Sequence, residues 1–410
     1  MTNHPEPVRC QRRCAKPVAS AAALSVALLT AGSLAAAEQA GEPWSVDLRY
    51  RFEHVADDAF DRNANAHTAR LRLGVQPQLP AGWSMRVEGE HVENLNSRFN
   101  STANARTSFP VVADPETTHI NQAWLGHSTG PISARIGRQR ILLGNQRFVG
   151  NVGWRQNEQT YDALRVTLTP TDRWAAQYAH LRRVQRIFGR QAPDPLLRSR
   201  RHRSHVFDLA HEPGSDREFG GSVYLLEDRD SPTDSSATWA MRMDVREPFG
   251  DGLAAGLRLE YARQRDYRNQ PGRFGLNYWH IAPRLAVSGT TFTIGWERLG
   301  GDGTRGFRTT LATLHAFNGW ADRFGNTPAD GLDDLFVQAS GSISGTDWTV
   351  RWHHFRAARG GEHLGREWNA SLGRRLPGNV TALLKLAYHA GAGPTDRDTT
   401  KAWLQLEWRM

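Results

Sequence analysis

Six arginines lie between Ala134 and Val166, in the sequence ARIGRQRILLGNQRFVGNVGWRQNEQTYDALRV. Both ends of this stretch alternate between apolar and polar residues, as β-strands do. The guanidinium group is always charged, and its planar fork matches the geometry of carboxylates and phosphates. Arginines repeated on one face of a strand therefore indicate binding or passage of anions. A ladder of Arg–Glu pairs that braces a sheet has the same spacing, and the sequence leaves both roles open.

Alternation with period two recurs along the whole chain. In WSVDLRYRFEHV, Val46 and Leu48 share one face of the predicted strand, and Arg49 and Arg51 share the other. A soluble sandwich would bury the apolar face, whereas a membrane barrel would turn it toward lipid and turn the charges toward its lumen. Alternation alone does not distinguish these two architectures.

The connections between the strands favour the membrane barrel. Short turns built from Gly, Pro, Asp, Asn, Ser and Thr, such as PAG, STGP and LPGN, alternate with long segments, such as 143–160, 188–203 and 301–332. Short turns at one rim and long loops at the other are typical of outer-membrane proteins. The predicted fold class is all-β: a transmembrane antiparallel β-barrel of about 18 strands, within a range of 16 to 20, with short periplasmic turns and long extracellular loops.

The two ends of the chain agree with export to the bacterial outer membrane. The N-terminus has a basic segment, an Ala-rich apolar segment and the small residues Ala35-Ala36-Ala37, a pattern typical of a cleaved signal peptide. An uncleaved membrane anchor is the alternative. The predicted organisation is therefore a signal peptide at 1–37, which contains both cysteines, and a barrel at 38–410. The last strand, KAWLQLEWRM, has the alternation that barrel-insertion machinery reads.

Assigning the apolar face of each strand to lipid turns the charged face toward the lumen. A charge on the lipid face near the membrane midplane costs about 2–4 kcal/mol, which strongly favours this assignment. The predicted pore-lining residues are basic: Arg70, Arg72, Arg86, Arg135, Arg165, Arg242, Arg246, Arg258, Arg284, Arg351 and Lys385.

The connection 143–160 is the candidate constriction. Long loops can fold inward and narrow a wide barrel, although an outward loop is equally compatible with this sequence. The predicted loop-side constriction residues are Arg138, Arg140, Arg147 and Arg155.

Weaker signals concern partners and metals. The basic segment RSRRHRSH (198–205) predicts either contact with lipopolysaccharide phosphates or a solvated external loop, and the barrel pattern argues against nucleic acid. We expect no cofactor and no metal site. Four aspartates near one another are weak Ca²⁺ candidates because Ca²⁺ prefers oxygen ligands: Asp322, Asp330, Asp333 and Asp334. No GxSxG motif or other nucleophile–base arrangement is recognisable, so an enzyme is not expected.

Three segments resemble the alginate-export family of outer-membrane porins. They are NQAWLG (121–126), the arginine-rich stretch 134–166 and LATLHAFNGWADRFGNTPADGLDDLFV (311–337). The resemblance implies an 18-stranded barrel and export of an anionic polysaccharide. The predicted function is a porin with an arginine-lined lumen for passive export or uptake of anionic solutes, with alginate-like uronate polysaccharides as the implied saccharide partner. The alternatives are a non-conducting structural or adhesion barrel and a porin for unrelated small solutes.

Overall fold

Eighteen antiparallel strands form one closed sheet in the computed structural model, which describes residues 43–393 and 396–410. Each strand pairs with the next along the chain, and β1 pairs with β18 to close the barrel. The predicted fold class and strand number are confirmed. The predicted signal peptide at 1–37 lies outside the described residues.

The first strand begins at Trp44 and the last ends at Arg409, so strands occur along the whole described chain. They are β1 (Trp44–Asp57), β2 (Ala64–Val75), β3 (Trp83–Asn94), β4 (Thr117–Thr129), β5 (Ile132–Gln139), β6 (Thr160–Thr171), β7 (Trp174–Gln185), β8 (Ser199–Gly214), β9 (Arg217–Leu226), β10 (Ser236–Gly250), β11 (Leu253–Arg265), β12 (Gly275–Val287), β13 (Thr290–Leu299), β14 (Leu332–Ile343), β15 (Thr346–Arg356), β16 (His363–Leu376), β17 (Val380–Ala390) and β18 (Thr399–Arg409).

Alternating side chains give the wall an apolar outer face and a polar lumen. On β1, Leu48 is 45% exposed on the outer face, whereas the neighbouring Arg49 and Arg51 are buried in the lumen. On β2, Leu73 is 53% exposed, and Arg72 beside it is buried. Exposed leucines suit a lipid-facing surface, where charges would be costly. The alternation in the sequence therefore sets which face each side chain takes.

Short turns join the strands at one end of the barrel, the short-turn rim, and long connections join them at the other, the long-loop rim. In the turns Ser288-Gly289 and Ser344-Gly345, both central residues have positive φ, at 46° and 85° and at 50° and 76°. This is the conformation of a type I′ hairpin turn, whose twist matches that of the flanking strands. Glycine at the second position adopts it without steric cost.

Helix is confined to three single turns in the described residues: an α-helix at Pro195–Arg198 and 3₁₀ turns at Pro232–Asp234 and Leu314–Ala316. None of the described helices has the length and apolar character needed to cross a membrane.

The basic segment 198–205 lies mainly in β8 and not in an external loop. β8 begins at Ser199, which pairs with Gln185 of β7, five residues before the predicted start at 204. Arg201 and Arg203 point outward, while His202 and Ser204 are buried inside. Both faces of this extension are polar, so hydrophobic alternation could not reveal it.

Candidate functional site: a constriction built by two inward loops

Two long connections fold into the lumen. The first inward loop is residues 140–159, between β5 and β6, and the second inward loop is residues 300–331, between β13 and β14. They meet at a parallel bridge between Val149 and Leu311. The Gly150 amide donates to the Leu311 carbonyl at 2.9 Å, and the Thr313 amide donates to the Gln146 carbonyl at 3.1 Å. The two loops therefore form one continuous structure inside the barrel.

An apolar cluster anchors this structure against the wall of β6–β15. Phe148 of the first loop stacks on Tyr224 of β9, with ring centroids 5.0 Å apart, and meets Tyr278 of β12 edge-on at 5.6 Å. Phe307 of the second loop is fully buried in the same cluster. Burying such rings removes apolar surface from the water-filled lumen, and this favours the inward position of both loops.

The far end of the first loop contacts the opposite wall. Arg155 forms an ion pair with Glu53 of β1, at 3.2 Å. Arg49 donates from Nη1 to the carbonyl oxygens of Gly153 and Arg155, at 3.1 and 3.3 Å. Gln156 donates to Thr68 Oγ1 of β2 at 2.9 Å. Because the loop is tied to both walls, it crosses the lumen.

The second loop is held by buried polar contacts with β13 and β16. Asn318 donates to Glu297 Oε2 at 2.7 Å and accepts from Arg147 Nη2 at 2.8 Å. The Ala321 amide donates to Glu367 Oε1 at 2.9 Å. Buried carboxylates with several donors make strong, specific contacts. These bonds fix where the second loop lies in the lumen.

A lysine, a histidine and an aspartate form a hydrogen-bonded chain at this loop. Lys385 Nζ of β17 donates to His315 Nε2 at 2.7 Å, and His315 Nδ1 lies 2.7 Å from Asp322 Oδ1. The lysine takes the Nε2 lone pair, so the ring proton belongs on Nδ1 and is donated to Asp322. The His315 ring stacks on Trp154 of the first loop at 4.4 Å. Lys385 also lies 3.8 Å from the ring centroid of Trp320.

The charge state of the loop residues follows from this packing. Burial lowers the pKa of His315 to about 3, although Asp322 opposes the effect, so the ring is neutral at pH 7. Burial by itself would raise the pKa of Asp322, but His315, Lys401 and Arg155 hold it well below its usual range. Glu158 behaves likewise: Arg72 and Arg140 outweigh burial and lower its pKa. Both carboxylates stay ionised inside the constriction.

Residues 44–230, which hold β1–β9, match the family model described as alginate export. The family resemblance read from the sequence is confirmed. The chain has the fold of an outer-membrane porin, and residues 44–230 resemble the alginate-export family. That family and that fold are those of porins and channels, which are not enzymes.

Solved porin structures share this fold at low sequence identity. OpdK of Pseudomonas aeruginosa, determined with vanillate, is 15% identical with a TM-score of 0.70, and the match covers 90% of this chain and 99% of that one. OccK9 (OpdG) of the same organism is 14% identical with a TM-score of 0.71, and the match covers 90% of this chain and 98% of that one. OccAB4 of Acinetobacter baumannii is 13% identical with a TM-score of 0.68, and the match covers 90% of this chain and 97% of that one. No curated protein matches the sequence. Likeness at these identities shows the fold alone.

Most of the predicted pore-lining arginines of this barrel are paired with carboxylates. The pairs are Arg70 with Asp47 (2.6 Å) and Glu407 (3.0 Å), Arg72 with Glu90, Arg86 with Glu88 (2.6 Å), Arg242 with Asp208 (2.7 Å) and Glu218 (2.7 Å), Arg246 with Asp216 (3.6 Å), and Arg258 (3.7 Å) and Arg284 with Asp244. These pairs correspond to the Arg–carboxylate ladder that the sequence left open as one role of the arginines. Arg246 lies at the short-turn rim and is exposed.

The other predicted wall cations contact neutral groups. Arg165 donates to Gln177 Oε1 at 2.6 Å, and Arg351 donates to Gln338 Oε1 at 2.7 Å and lies over the Phe336 ring at 5.0 Å. Lys385 bonds His315, as described above. Arg135 lies over the ring of Trp124, at 4.2 Å.

Three of the four predicted loop-side arginines lie in the first inward loop. Arg147 is paired with Glu297 at 2.9 Å, and Arg140 contacts Glu88 at 2.6 Å and Glu158 at 2.5 Å. Arg155 makes the contact with β1 described above.

The placement of Arg138 in the constriction is wrong. β5 continues to Gln139, so alternation turns Arg138 to the outer face, opposite Asp162 of β6. The two side chains pair there at 2.8 Å, on the same face as the exposed Leu164. Gly137 and Gln139 take the lumen side of this strand, and the chain turns inward only after it ends.

Three of the four aspartates named as weak calcium candidates, Asp322, Asp333 and Asp334, contact basic side chains. Asp322 is bound to His315, Lys401 and Arg155, and Asp334 is bound to His353 at 2.8 Å. Asp333 faces outward against Arg298. In the described ranges, no group of acidic, histidine or cysteine residues is placed to hold a metal ion.

No local pattern in the sequence marks His315, Trp154 or Asn318 as constriction residues. Their role depends on contacts between two loops that are about 160 residues apart, which no local pattern encodes. The signals nearest to them are two of the segments that carry the family resemblance: 311–337 contains His315 and Asn318, and 134–166 contains Trp154.

Proposed function

We propose that this barrel is a passive channel for anionic solutes in the bacterial outer membrane. Alginate-like uronate polymers are the solute class that the alginate-export domain favours. A carboxylate would be drawn in by the lumenal cations and would pass from one to the next before release. Conduction of this kind needs neither a cofactor nor catalysis, only binding weak enough to allow exit.

The observation that carries the proposal is the set of three lumenal cations with neutral partners, Arg165, Arg351 and Lys385. In the described part of the chain, none of them forms an ion pair with a carboxylate. The direct partners of these cations are glutamine oxygens and an imidazole, in contrast to the carboxylate-paired arginines on β2 and β10. A uronate carboxylate would supply the missing negative charge, since guanidinium groups bind carboxylates through charge-assisted hydrogen bonds.

Arg351 lies beside the second inward loop. It lines a cavity of about 120 Å³ between the second inward loop and the wall, together with Phe317, Asn318 and Arg258. Any solute that passes the loop on this side would meet Arg351 and Arg258, and also the carboxylates Glu297 and Asp334 that line the same cavity. Arg165 faces the lumen on β6, toward the short-turn rim, so a second cation follows the first.

A non-conducting barrel is the competing function, and one observation favours it. The inward loops cross the lumen and are tied to both walls through buried ion pairs, as a plug would be. A plugged barrel would serve a structural or adhesive role. Channel recording separates the two functions directly.

The test is the reversal potential of the refolded protein in planar bilayers under a KCl gradient. We expect conducting channels with anion preference, blocked by added oligouronate. In the variant Arg165→Gln/Arg351→Gln, the anion preference should fall, because two lumenal positive charges that form no ion pair are removed. Lys385 is left unchanged, since it holds the second loop in place.

Glu260→Gln serves as the matched control. Glu260 is a buried lumenal carboxylate on β11 that has no ion pair within the described residues. Removing its charge should preserve or increase anion preference. Absence of channels would support the plugged barrel. Channels whose ion preference is the same in the wild type and in Arg165→Gln/Arg351→Gln would contradict the anion conduit.

A further inference from the structure

Four basic side chains lie together on the outer face of β15 and β16, at the long-loop rim. We call them the outer basic patch: His354 and Arg356 on β15, and His363 and Arg366 on β16. In the register of these strands, His354 lies opposite Arg366, and Arg356 lies opposite His363. The two histidine rings are 5.1 Å apart. The patch therefore concentrates positive charge on a surface that most of the barrel keeps apolar.

An aromatic pair fixes the height of this patch relative to the membrane. Trp352 lies opposite Trp368, one outward-facing position closer to the membrane than the pair of His354 and Arg366. Trp368 is 56% exposed on the outer face. Barrels place such aromatic residues at the boundary between hydrocarbon and headgroups. The outer basic patch is thus at the level of the lipid headgroups.

The arginines of the patch have no protein partner for their charge. Among residues 43–393 and 396–410, neither Arg356 nor Arg366 forms an ion pair or a side-chain hydrogen bond, and both are exposed. The carboxylate opposite Arg356 is Asp333, whose Oδ2 lies 3.6 Å from Arg298 on its other side. The guanidinium groups of Arg356 and Arg366 therefore face the headgroup layer without an ion-pair partner among the described residues.

The basic segment on β8 differs in this respect. Arg201 is bound to Asp230 at 2.6 Å, and Arg203 is bound to both oxygens of Glu227 at 2.9 Å. Their charges are already balanced within the protein. The segment that stands out in the sequence is therefore a poorer anion site than the inconspicuous pair on β15 and β16.

We propose that the outer basic patch binds the phosphate groups of lipopolysaccharide in the outer leaflet. Arg356 and Arg366 would each donate to phosphate oxygens through their planar forks, and Trp352 and Trp368 would pack against the acyl chains below. To contact both the phosphates and the acyl chains of one glycolipid, the arginines must lie above the tryptophans along the membrane normal, as they do on this wall. The site is on the outside of the barrel and is independent of what the lumen conducts.

The test measures retention of diphosphorylated lipid A by the refolded protein in neutral detergent, using native mass spectrometry. We expect wild-type protein to retain it, and Arg356→Gln/Arg366→Gln to bind at least about tenfold more weakly, as loss of two charge-assisted contacts implies. Lipid A stripped of its phosphates and the lipid phosphatidylglycerol are the comparison probes. Equal retention of the stripped lipid would overturn the proposal, as would stronger retention of phosphatidylglycerol.

Two control variants keep the outcome specific. Arg201→Gln/Arg203→Gln removes two outward arginines at the same rim whose charges are already paired. Arg217→Gln removes an outward arginine at the short-turn rim, where it pairs with Glu247 at 2.9 Å. Both should retain lipid A nearly as well as the wild type. If Arg356→Gln/Arg366→Gln binds no more weakly than these controls, the outer basic patch is not the site.

Discussion

Arg147, in the first inward loop, pairs with Glu297 of β13, with 2.9 Å between Nε and Oε1 and with both side chains buried. Removing one member of a buried pair leaves the other charge uncompensated, at a cost of about 3–5 kcal/mol. We expect Glu297→Gln to lower the temperature at which half of the refolded barrel unfolds, measured by its heat-dependent shift in gel mobility. Arg147→Met/Glu297→Gln should recover part of the loss, because no lone charge remains. If the loss of stability in the double variant equalled the sum of the losses in Arg147→Met and Glu297→Gln, the two residues would not be coupled.

The exposed pair of Arg217 and Glu247 is the matched control for that experiment. Its members are joined at 2.9 Å at the short-turn rim, and more than half of each side chain is exposed. Exposed pairs contribute about 0–1 kcal/mol. Arg217→Gln should therefore leave the midpoint nearly unchanged.

His315 makes the second inward loop sensitive to acid. Its pKa is lowered by burial to about 3 in the folded protein, against about 6.5 in an unfolded chain. The folded state thus binds fewer protons between these values, and the stability contribution is complete above pH 6.5 and is lost as pH falls toward 3. The loss is about 1.4 kcal/mol per pH unit in that window. Proteolysis of the loop should accelerate from pH 7 to pH 4.5.

His315→Gln should flatten this pH dependence. Glutamine cannot take up a proton, so the variant should show the same proteolysis rate at pH 7 and pH 4.5, after correction for protease activity. A slope as steep as that of the wild type would mean that another group controls the loop.

Gly319 allows the second loop to approach β16. Its φ is +85°, and a Cβ there would collide with the carboxylate of Glu367. Gly319→Ala combines backbone strain with that collision, so we expect the loop to be displaced from the wall and current noise to increase. Gly325→Ala is the control within the same loop, because a Cβ at Gly325 would meet nothing closer than 3.9 Å. Similar noise in both variants would count against the close approach.

Shortening the second inward loop should raise single-channel conductance. Replacing residues 314–324 with a short Gly-Ser linker removes His315, Asn318 and the 3₁₀ turn but leaves β13 and β14 intact. Without this segment, the lumen still holds the first loop and the remaining ends of the second loop, but the passage should be wider. Unchanged conductance in bilayer recordings would show that the ion path does not pass this loop.

The strand pattern was predictable because each strand of a membrane barrel has one apolar face and one polar face. The wall arginines on β2, β6 and β15 follow directly from that alternation. The alternation that turns Ile136 outward turns Arg138 outward as well, so the error at Arg138 came from grouping this residue with the loop that follows β5. Burial of His315 and Asn318 depends on contacts between distant loops, and no periodicity reports such contacts.

The bridge between Val149 and Leu311 means that neither inward loop can swing aside alone. Widening the passage by displacing one loop requires either breaking the bridge or moving the other loop with it, along with the aromatic cluster and the ion pairs at both walls. The passage beside the two inward loops should therefore have few widths between its closed and open states. A barrel of this kind would switch between discrete current levels, and substitutions tolerated in one loop would depend on the residues present in the other.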